Sequence, residues 1–271
     1  MASSRTALAV VRSADRPTRG GSGRGHGRTE GSSRGDERAG QPVQVRSAAL
    51  RRMLSCLVLR ESTPVRMTVL VDALWPRDPP PSAAHSVANH AMRLRSLLGS
   101  DWPRWQGDGY VLDHSCYADD RREFESAALA VLGSDSSPGS SVLAAERALS
   151  LWRGDPWLEL DQIDVARFDR ERLNELRASV EERRCEALIR SGRVAEGAAV
   201  LAGLTEAEPF RERRWWLRVL ALHRLQQRRR SLQVLHEAGD RLREVGLEPG
   251  EDLRRLEVLV VADDPALNDL L

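Results

Sequence analysis

The sequence predicts a mainly α-helical protein, with one small β-hairpin in its first half and an all-α array in its second. In the segments 47–61 and 68–98, apolar residues recur at steps of three and four, which is the period of one helix face. Two short β-like runs flank the Gly-Asp-Gly of 107–109, a pattern typical of a hairpin. From about Ala118 onward, every periodic segment is helical.

The charges of the chain are distributed unevenly along its length. Its 271 residues include 41 basic and 40 acidic side chains, which give a net charge of +1. Residues 1–40 carry 8 arginines against 4 acids and residues 41–112 carry 9 against 5, whereas residues 113–271 carry 24 against 31. A basic front and an acidic rear favour a nucleic-acid-binding region joined to a region that stays off DNA. Chance partition of surface charge predicts the same counts.

The first 40 residues form a segment of biased composition. They contain 8 Gly, 6 Ser and 8 Arg, with almost nothing apolar after Val11. Such a segment buries too little surface to offset its ordering entropy, so we expect a disordered tail. It could act as a basic arm on DNA phosphates, but an inert tail is the favoured interpretation.

Composition also excludes several kinds of chemistry. The sequence has no lysine, so neither a Walker A phosphate loop nor Schiff-base catalysis is available to it. Cys56, Cys116 and Cys185 are far apart and form no CxxC pair, so we expect small buried thiols in a reducing cytoplasm and neither a zinc site nor a disulfide frame. No apolar run approaches the roughly 20 residues of a membrane span. We therefore expect a cytoplasmic protein without a membrane partner.

Ionisable residues give no sign of an enzyme. Several acids stand at predicted helix starts, where the helix dipole explains them without catalysis, namely Asp119, Asp120, Asp161 and Asp164. His85 and His90 are five residues apart, which does not place two metal ligands on one helix face as a spacing of four does. We expect no catalytic residue, no cofactor and no metal.

The elements of the first half follow a recognisable order. The predicted elements are a strand in GQPVQV (40–45), a helix over Ser47–Glu61, an extended PVRMT (64–68), a helix over Val69–Trp75, a helix from Ser82 to Leu98 and a hairpin within 102–114. Thr68 is the expected N-cap of the second helix, and Gly99 is the expected stop of the third. Pro76 and the prolines of 79–81 separate those two helices. This order predicts a winged helix-turn-helix, a fold that places its second helix in the DNA major groove.

The long helix of this half is amphipathic. Projection at about 100° per residue predicts an inward stripe of Ala84, Val87, Ala91, Leu94 and Leu98. The outward face then carries His85, Asn89, Arg93 and Ser96, with Ser82, Ser86 and Met92 beside them and His90 and Arg95 on its flanks. An ordinary amphipathic helix with a solvated face predicts the same pattern, so the projection permits DNA contact without showing it.

The second half reads as successive helices. They are predicted over Arg122–Leu132, Ser141–Trp152, Asp164–Ser191, Val194–Glu208, Arg211–Gln226, Arg229–Val245 and Gly250–Ala262. The helix over 211–226 is apolar around much of its circumference, so we expect it to be buried. Two helix pairs, 194–226 and 229–262, follow at an offset of about 35 residues, near the tetratricopeptide period. The expected organisation is a tail (1–40), a DNA-binding domain (41–114), a helical domain (118–262) and a C-terminal tail (263–271).

Several stretches together resemble the Streptomyces antibiotic regulatory protein family, whose members join a winged helix to a tetratricopeptide-like bacterial transcriptional activation domain. The matching stretches are VLVDALWPRDPPPSAAHSVANHAMRLRSLLG (69–99), GDGYVLD (107–113), ALSLWRGDPWLEL (148–160), RFDRERLNELRASVEERRCEALIRSGR (167–193), PFRERRW with LALHRL (209–225) and VGLEPGEDLRRLE (245–257). They run in family order over roughly residues 41–262. Of the sheet that the family places before its first helix, only GQPVQV is recognisable.

The resemblance implies a sequence-specific DNA-binding activator of transcription, commonly acting on antibiotic biosynthetic clusters. It implies binding to direct repeats in promoter DNA, contacts between protomers in a homodimer on DNA, and contact with RNA polymerase. On the outer face of 82–96 it implies base contacts by His85, Asn89 and Arg93. The residues expected at phosphates are Arg66, Ser82, Ser86, His90 and Arg95. Ala84, Ala88 and Met92 on that helix predict few hydrogen-bond donors and relaxed specificity.

A second function remains open from the residues alone. A winged helix that no longer binds DNA would leave the acidic helical array as a protein-interaction module, since such arrays recognise peptides or helices by shape and charge. Binding of duplex DNA at low salt separates the two functions.

Overall fold

The computed structural model describes residues 45–98, 101–134 and 137–271. The expected tail over 1–40, the 40–45 strand apart from Val45, and the expected stop at Gly99 lie outside the described residues. Mainly helical architecture with a small antiparallel sheet in the first half confirms the predicted fold class.

The first part of the chain contains three helices and three short strands. In chain order these are α1 (Ala48–Leu59), β1 (Val65–Arg66), α2 (Met67–Leu74), α3 (Ala83–Leu98), β2 (Arg104–Gln106) and β3 (Gly109–Val111). The second part is helical, with α4 (Asp120–Leu132), α5 (Pro138–Ser150), α6 (Asp164–Arg190), α7 (Val194–Ala207), α8 (Glu212–Arg224), α9 (Arg228–Glu244) and α10 (Glu251–Ala262). Every helix that the sequence predicts is present, with ends that differ by a few residues.

The prediction that Thr68 caps α2 is wrong, because α2 begins at Met67, two residues before the predicted start at Val69. The cap position is Arg66, which makes no side-chain cap bond, and Thr68 lies inside the helix. The amide of Met67 instead donates to the Asp108 carbonyl at 3.0 Å. The strand β1 leads directly into α2, so the neighbouring hairpin satisfies an amide that a threonine hydroxyl would otherwise serve.

The extended piece before α2 joins the predicted hairpin as a third strand. The strand order is β1-β3-β2, all antiparallel, with Val65 opposite Tyr110 and Arg66 opposite Gly109. A Cβ atom on Gly109 would lie 1.9 Å from the Val65 carbonyl oxygen. Only glycine lets β1 approach β3 this closely, so this residue fixes the hairpin beside α2.

The chain divides into two compact units, and the first one takes in a segment from far along the sequence. Residues up to Arg122 and the segment Trp152–Asn174 form the first unit. Its core packs apolar residues of α1, α2 and α3 together with Trp157 and Leu160, which come from that later segment. The domain boundaries expected from the sequence place 152–174 with the helical domain, and those boundaries stay a prediction.

Two arginines of α1 hold this later segment in place. Arg51 Nε donates to Glu159 Oε1 at 3.0 Å, and Arg52 Nε donates to the Glu159 carbonyl at 3.1 Å. Arg52 Nη1 also donates to the Leu74 carbonyl at the end of α2, at 3.1 Å. The first unit is therefore closed by both apolar burial and hydrogen bonds that link positions more than a hundred residues apart.

The second unit comprises Glu123–Leu151 and Glu175–Leu271. Its largest apolar cluster is formed by α8, α9 and α10, with Trp215, Leu220 and Leu242 among its buried members. The helix α8 is buried around much of its circumference, which confirms the expectation for that segment. Beyond α10, Leu267 packs into the same cluster within a short 3-10 turn, where the sequence predicts a tail.

Two of the three cysteines fit the expectation of small buried thiols. Cys56 lies in the first unit and Cys185 in the second, both buried and free of disulfides. Burial raises the pKa of each thiol to about 12. The side chain of Cys116 lies outside what the structure describes. Within the described ranges, no helix is both long and apolar enough to cross a membrane.

Candidate nucleic-acid interface

The helix α3 lies across the first unit with one face in the core and the other towards solvent. Its buried residues are Ala83, Val87, Ala91, Leu94 and Leu98. The prediction that Ala84 points inward is wrong, because Ala84 is exposed and Ala83 takes its place. Ala83 lies four residues before Val87, one full turn earlier on the buried stripe, and its amide donates to the Pro80 carbonyl at 2.9 Å.

The three residues expected at base edges share the solvent side of α3. His85 and Arg93 are exposed, and Asn89 is half-buried. In the part of the chain that the structure describes, no acidic group forms an ion pair with the Arg93 guanidinium. Arg93 thus presents its five donors to solvent, as a group that binds guanine must.

Arg66 and two serines lie where phosphate contacts are expected. Arg66 is exposed at the end of β1, and its Nε lies 3.4 Å from Asp108 Oδ2 at the turn of the hairpin. Both side chains are more than 70% exposed, so this pair is weak and an incoming phosphate can replace the carboxylate. Ser82 is exposed and Ser86 half-buried at the start of α3, where free helix amides favour an anion.

His90 is a less obvious phosphate ligand than the sequence implies. Its side chain is half-buried, and Nδ1 is buried without a hydrogen-bond partner. Burial lowers the pKa of His90, and the nearby Arg93 guanidinium lowers it further. The lowered pKa favours the neutral imidazole in the free protein.

Arg95 connects α3 with the hairpin. It is half-buried, and its Nε donates to the Pro103 carbonyl at 2.9 Å, immediately before β2. This contact fixes the position of the hairpin relative to α3. The structure thus gives Arg95 a positioning contact, and its expected phosphate contact stays a prediction.

The hairpin adds two exposed residues that the sequence reasoning missed. Arg104 stacks on Trp102, with its guanidinium carbon 4.5 Å from the ring centroid, and pairs with Asp101 at 3.3 Å. Trp105 is 52% exposed and meets Tyr110 edge to face, with centroids 5.1 Å apart. Their position on the strand just before the Gly-Asp-Gly turn was the available signal, since an exposed guanidinium group is a candidate donor to a phosphate.

The site as a whole is a pair of adjacent surfaces. One is the outer face of α3, and the other is the hairpin, joined to it by the Arg95 contact and to the start of α2 by the Arg66–Asp108 pair. The described residues of these surfaces offer guanidinium, amide and hydroxyl donors. Among the described residues, no group of three or more His, Cys, Asp or Glu side chains could hold a metal ion.

Comparison with known proteins places this chain among bacterial regulators. Residues 120–260 match the family described as the bacterial transcriptional activator domain. The chain is 31% identical over 234 residues to the regulatory protein DnrI of Streptomyces peucetius, covering 80% of this chain and 85% of DnrI. It is 28% identical over 235 residues to the transcriptional regulator RedD of Streptomyces coelicolor, covering 82% of this chain and 67% of RedD.

A longer regulator matches over the same region. The chain is 31% identical over 242 residues to the regulatory protein AfsR of Streptomyces coelicolor, covering 86% of this chain. It spans about a quarter of the length of AfsR, since the match covers 24% of that protein. These relatives are named as regulatory proteins and not as enzymes, which confirms the expectation of a regulator.

A solved structure has the same architecture. The structure described as Mycobacterium tuberculosis EmbR in complex with a low affinity phosphopeptide aligns with a TM-score of 0.75 at 25% identity. The alignment covers 85% of this chain and 64% of the EmbR chain. The combination of a small three-stranded sheet and a helical array is therefore shared with a known protein over most of the length of this chain.

Proposed function

Because this chain belongs to the Streptomyces antibiotic regulatory protein family, with its bacterial transcriptional activator domain, we propose that it is a sequence-specific DNA-binding regulator of transcription. The observation that carries the proposal is the solvent-facing side of α3, where Arg93 is exposed and no described acid pairs with it. A helix-turn-helix with such a face inserts its second helix into the major groove.

In the proposed mechanism, different residues bind the phosphate backbone and recognise the bases. Exposed guanidinium groups at Arg66 and Arg104 attract the phosphate backbone without regard to sequence. The affinity from this attraction falls as the salt concentration rises. Arg93 then pairs with the O6 and N7 atoms of guanine, and Asn89 with the N6 and N7 atoms of adenine. Contacts by Ser82, Ser86 and His90 to phosphates fix the register of α3 in the groove.

The finer parts of the proposal come from the family resemblance. We infer an activator of an antibiotic biosynthetic cluster that acts in the cytoplasm. It binds direct repeats in promoter DNA as a homodimer and contacts RNA polymerase. The names of the activator domain and of the regulatory relatives support a role in transcription.

Titration of labelled duplex DNA at several salt concentrations tests the proposal. We expect log affinity to fall linearly with log salt, because each neutralised phosphate releases counterions. Arg93→Ala should weaken binding to a preferred site by about 1–3 kcal/mol and relax the preference at one base pair. Arg147→Ala is the matched control, since Arg147 is an exposed arginine of α5 in the second unit.

Two results would contradict this function. Absence of duplex binding at low salt would favour the protein-interaction module that the residues also permit. Equal loss of affinity in Arg93→Ala and Arg147→Ala would show that the protein attracts DNA by charge alone and does not read it with α3.

A further inference from the structure

The outward face of α3 carries an exposed methionine that the proposed hydrogen-bonding contacts do not use. Met92 is 57% exposed, among the most exposed large apolar side chains of the first unit. The helix turns by about 100° per residue, so the middle of its outward face lies opposite the buried stripe of Val87, Leu94 and Leu98. Met92 lies about 40° from that middle and Arg93 about 60° from it. Met92 is thus at least as well placed as Arg93 to enter a groove.

Two rows of residues run along the solvent side of α3. His85, Asn89 and Arg93 follow one another at steps of four and form a polar row, because residues four apart are neighbours along a helix. Ala84, Ala88 and Met92 follow the same spacing one position earlier and form an apolar row that runs from the flank of the helix, about 120° from the middle of the outward face at Ala84, to about 40° from it at Met92. Ala84 is exposed and Ala88 is half-buried. Met92 is the last residue of the row and its longest side chain. The small and apolar residues that dilute the polar face are therefore grouped and not scattered.

The major groove presents one apolar group for such a row to meet. Thymine carries a C5 methyl group there, and the other three bases present only polar edges or a bare C5 position. A methionine side chain is flexible and polarisable, so it adapts its shape to a methyl group more readily than a branched residue does. Burying both groups removes apolar surface from water on each side.

We propose that Met92 is a specificity-determining residue that recognises the C5 methyl group of a thymine in the major groove. The inference rests on the proposed function, since it requires that α3 enters duplex DNA. The apolar residues of α3 predict relaxed specificity from the sequence, whereas this inference gives Met92 specificity for a methyl group. The polar row reads hydrogen-bonding edges, and the apolar row reads a methyl group.

Deoxyuridine provides a direct probe, because it differs from thymidine only by the missing methyl group and keeps its base pairing. A duplex selected by the wild-type chain from a random pool is prepared with each thymine replaced in turn by deoxyuridine. We expect one replacement to weaken wild-type binding by about three- to fivefold, the effect of one buried methyl group. In Met92→Ala the same replacement should change the affinity by less than about twofold.

Two further variants separate methyl recognition from general effects. Met92→Leu keeps an apolar side chain and should retain the loss caused by deoxyuridine, whereas Met92→Gln should not. Leu97→Ala is the matched control, since Leu97 is 39% exposed on α3 but lies about 100° from the middle of the outward face. It should respond to deoxyuridine as the wild-type chain does.

The outcomes distinguish this inference from the proposed function. If the chain selects a site but no deoxyuridine replacement weakens binding, or if Met92→Ala keeps the full loss, Met92 does not read thymine although the regulator still binds DNA. If the chain selects no site at all, both the inference and the proposed function are wrong. A loss that is present in the wild type and absent only in Met92→Ala and Met92→Gln supports the inference.

Discussion

The arginines of the candidate interface in the first unit and those near the start of α8 in the second unit have opposite surroundings. In the first unit, Arg66, Arg93 and Arg104 lie exposed at the helix and hairpin surfaces that face solvent. In the second unit, Arg214 is only 1% exposed and lies 2.9 Å from Glu181 and 3.4 Å from Glu208. The same side chain is thus a surface donor in one unit and part of the packed interior in the other.

The surroundings of Arg214 show how a buried guanidinium is compensated. Its Nη1 donates to the Leu204 carbonyl at 3.2 Å, and Glu182 lies 3.6 Å from its Nε. Beside it, Arg211 bonds Glu182 at 2.8 Å and Glu175 at 2.6 Å. Acids of α6 therefore neutralise the arginines near the start of α8, which leaves little positive charge there for a nucleic acid.

Exposed arginines that could meet a phosphate lie on α3 and the hairpin. The net charge of +1 hides this contrast between arginines of α3 and the hairpin, which are exposed and hold at most weak surface pairs, and arginines near the start of α8, which are held by glutamates of α6. The first unit depends instead on apolar closure by Trp157, which is 6% exposed and donates from Nε1 to Asp169 Oδ2 at 2.6 Å. Removal of one buried side chain from each unit should therefore lower the free energy of unfolding by different amounts and for different physical reasons.

The largest effect is expected for Trp157→Ala. Removing a buried indole from the core of the first unit should lower the free energy of unfolding by about 3–5 kcal/mol, through lost burial and the cavity left behind. Urea unfolding followed by far-UV circular dichroism measures the change. Trp105→Ala is the matched control, since that tryptophan is 52% exposed, and it should stay within about 0.5 kcal/mol of the wild type. Equal effects of the two variants would contradict the role given to the later segment.

A smaller loss is expected for Arg214→Ala. Its removal leaves Glu181 and Glu182 without one partner, but Arg177 and Arg211 still contact them. We therefore expect a loss of about 2–3 kcal/mol, at or below the low end for breaking a buried pair. Arg241→Ala, which removes an exposed pair with Glu244 at 3.5 Å, should change stability by less than about 0.5 kcal/mol. An unchanged free energy of unfolding in Arg214→Ala would show that the buried guanidinium contributes no net stability.

The smallest effect is a loss of stability in acid that both units share. The hydrogen bond from Arg121 holds the pKa of Glu61 below its ordinary value of 4.5, and the bond from Arg211 does the same for Glu175. A lowered pKa means that the unfolded chain binds more protons, so each group contributes stability above pH 4.5 that is lost as the pH falls through its folded pKa. The two side chains are 45% and 66% exposed, which limits each contribution to less than about 1 kcal/mol.

Urea midpoints between about pH 6 and pH 3 measure this loss. Glu61→Gln and Glu175→Gln should each reduce the slope of stability against pH, since neither amide titrates. An unchanged slope in both variants would show that other carboxylates govern the acid response.

Local patterns in the sequence were sufficient for most of the helices and for the outer face of α3. The spacing of Val87, Ala91, Leu94 and Leu98 is a property of one helix, so projection alone identified which side faces the core. The burial of Trp157 could not be predicted in this way, because it depends on packing against α1, about a hundred residues earlier in the chain. The missed cap at Thr68 has the same origin, since a carbonyl of the hairpin bonds the amide of Met67.

In the candidate site too, features set within one helix could be predicted, and contacts between elements could not. The exposure of His85 and Arg93 could be predicted from helix periodicity, whereas the contact of Arg95 with Pro103 depends on how the hairpin folds back on α3. The buried state of His90 Nδ1 likewise depends on neighbouring elements. Apart from Ala84, the side of α3 on which a residue lies could be predicted from one helix, whereas contacts between elements could not.

The central claim is that α3 reads base sequence in duplex DNA. Binding-site selection from a random DNA pool, carried out in parallel with the wild-type chain and Arg93→Ala, tests it most directly. We expect the wild type to enrich a motif with a strongly preferred guanine, and Arg93→Ala to enrich the same motif with that preference lost. Failure of the wild type to enrich any motif, or an unchanged motif in Arg93→Ala, would contradict the claim.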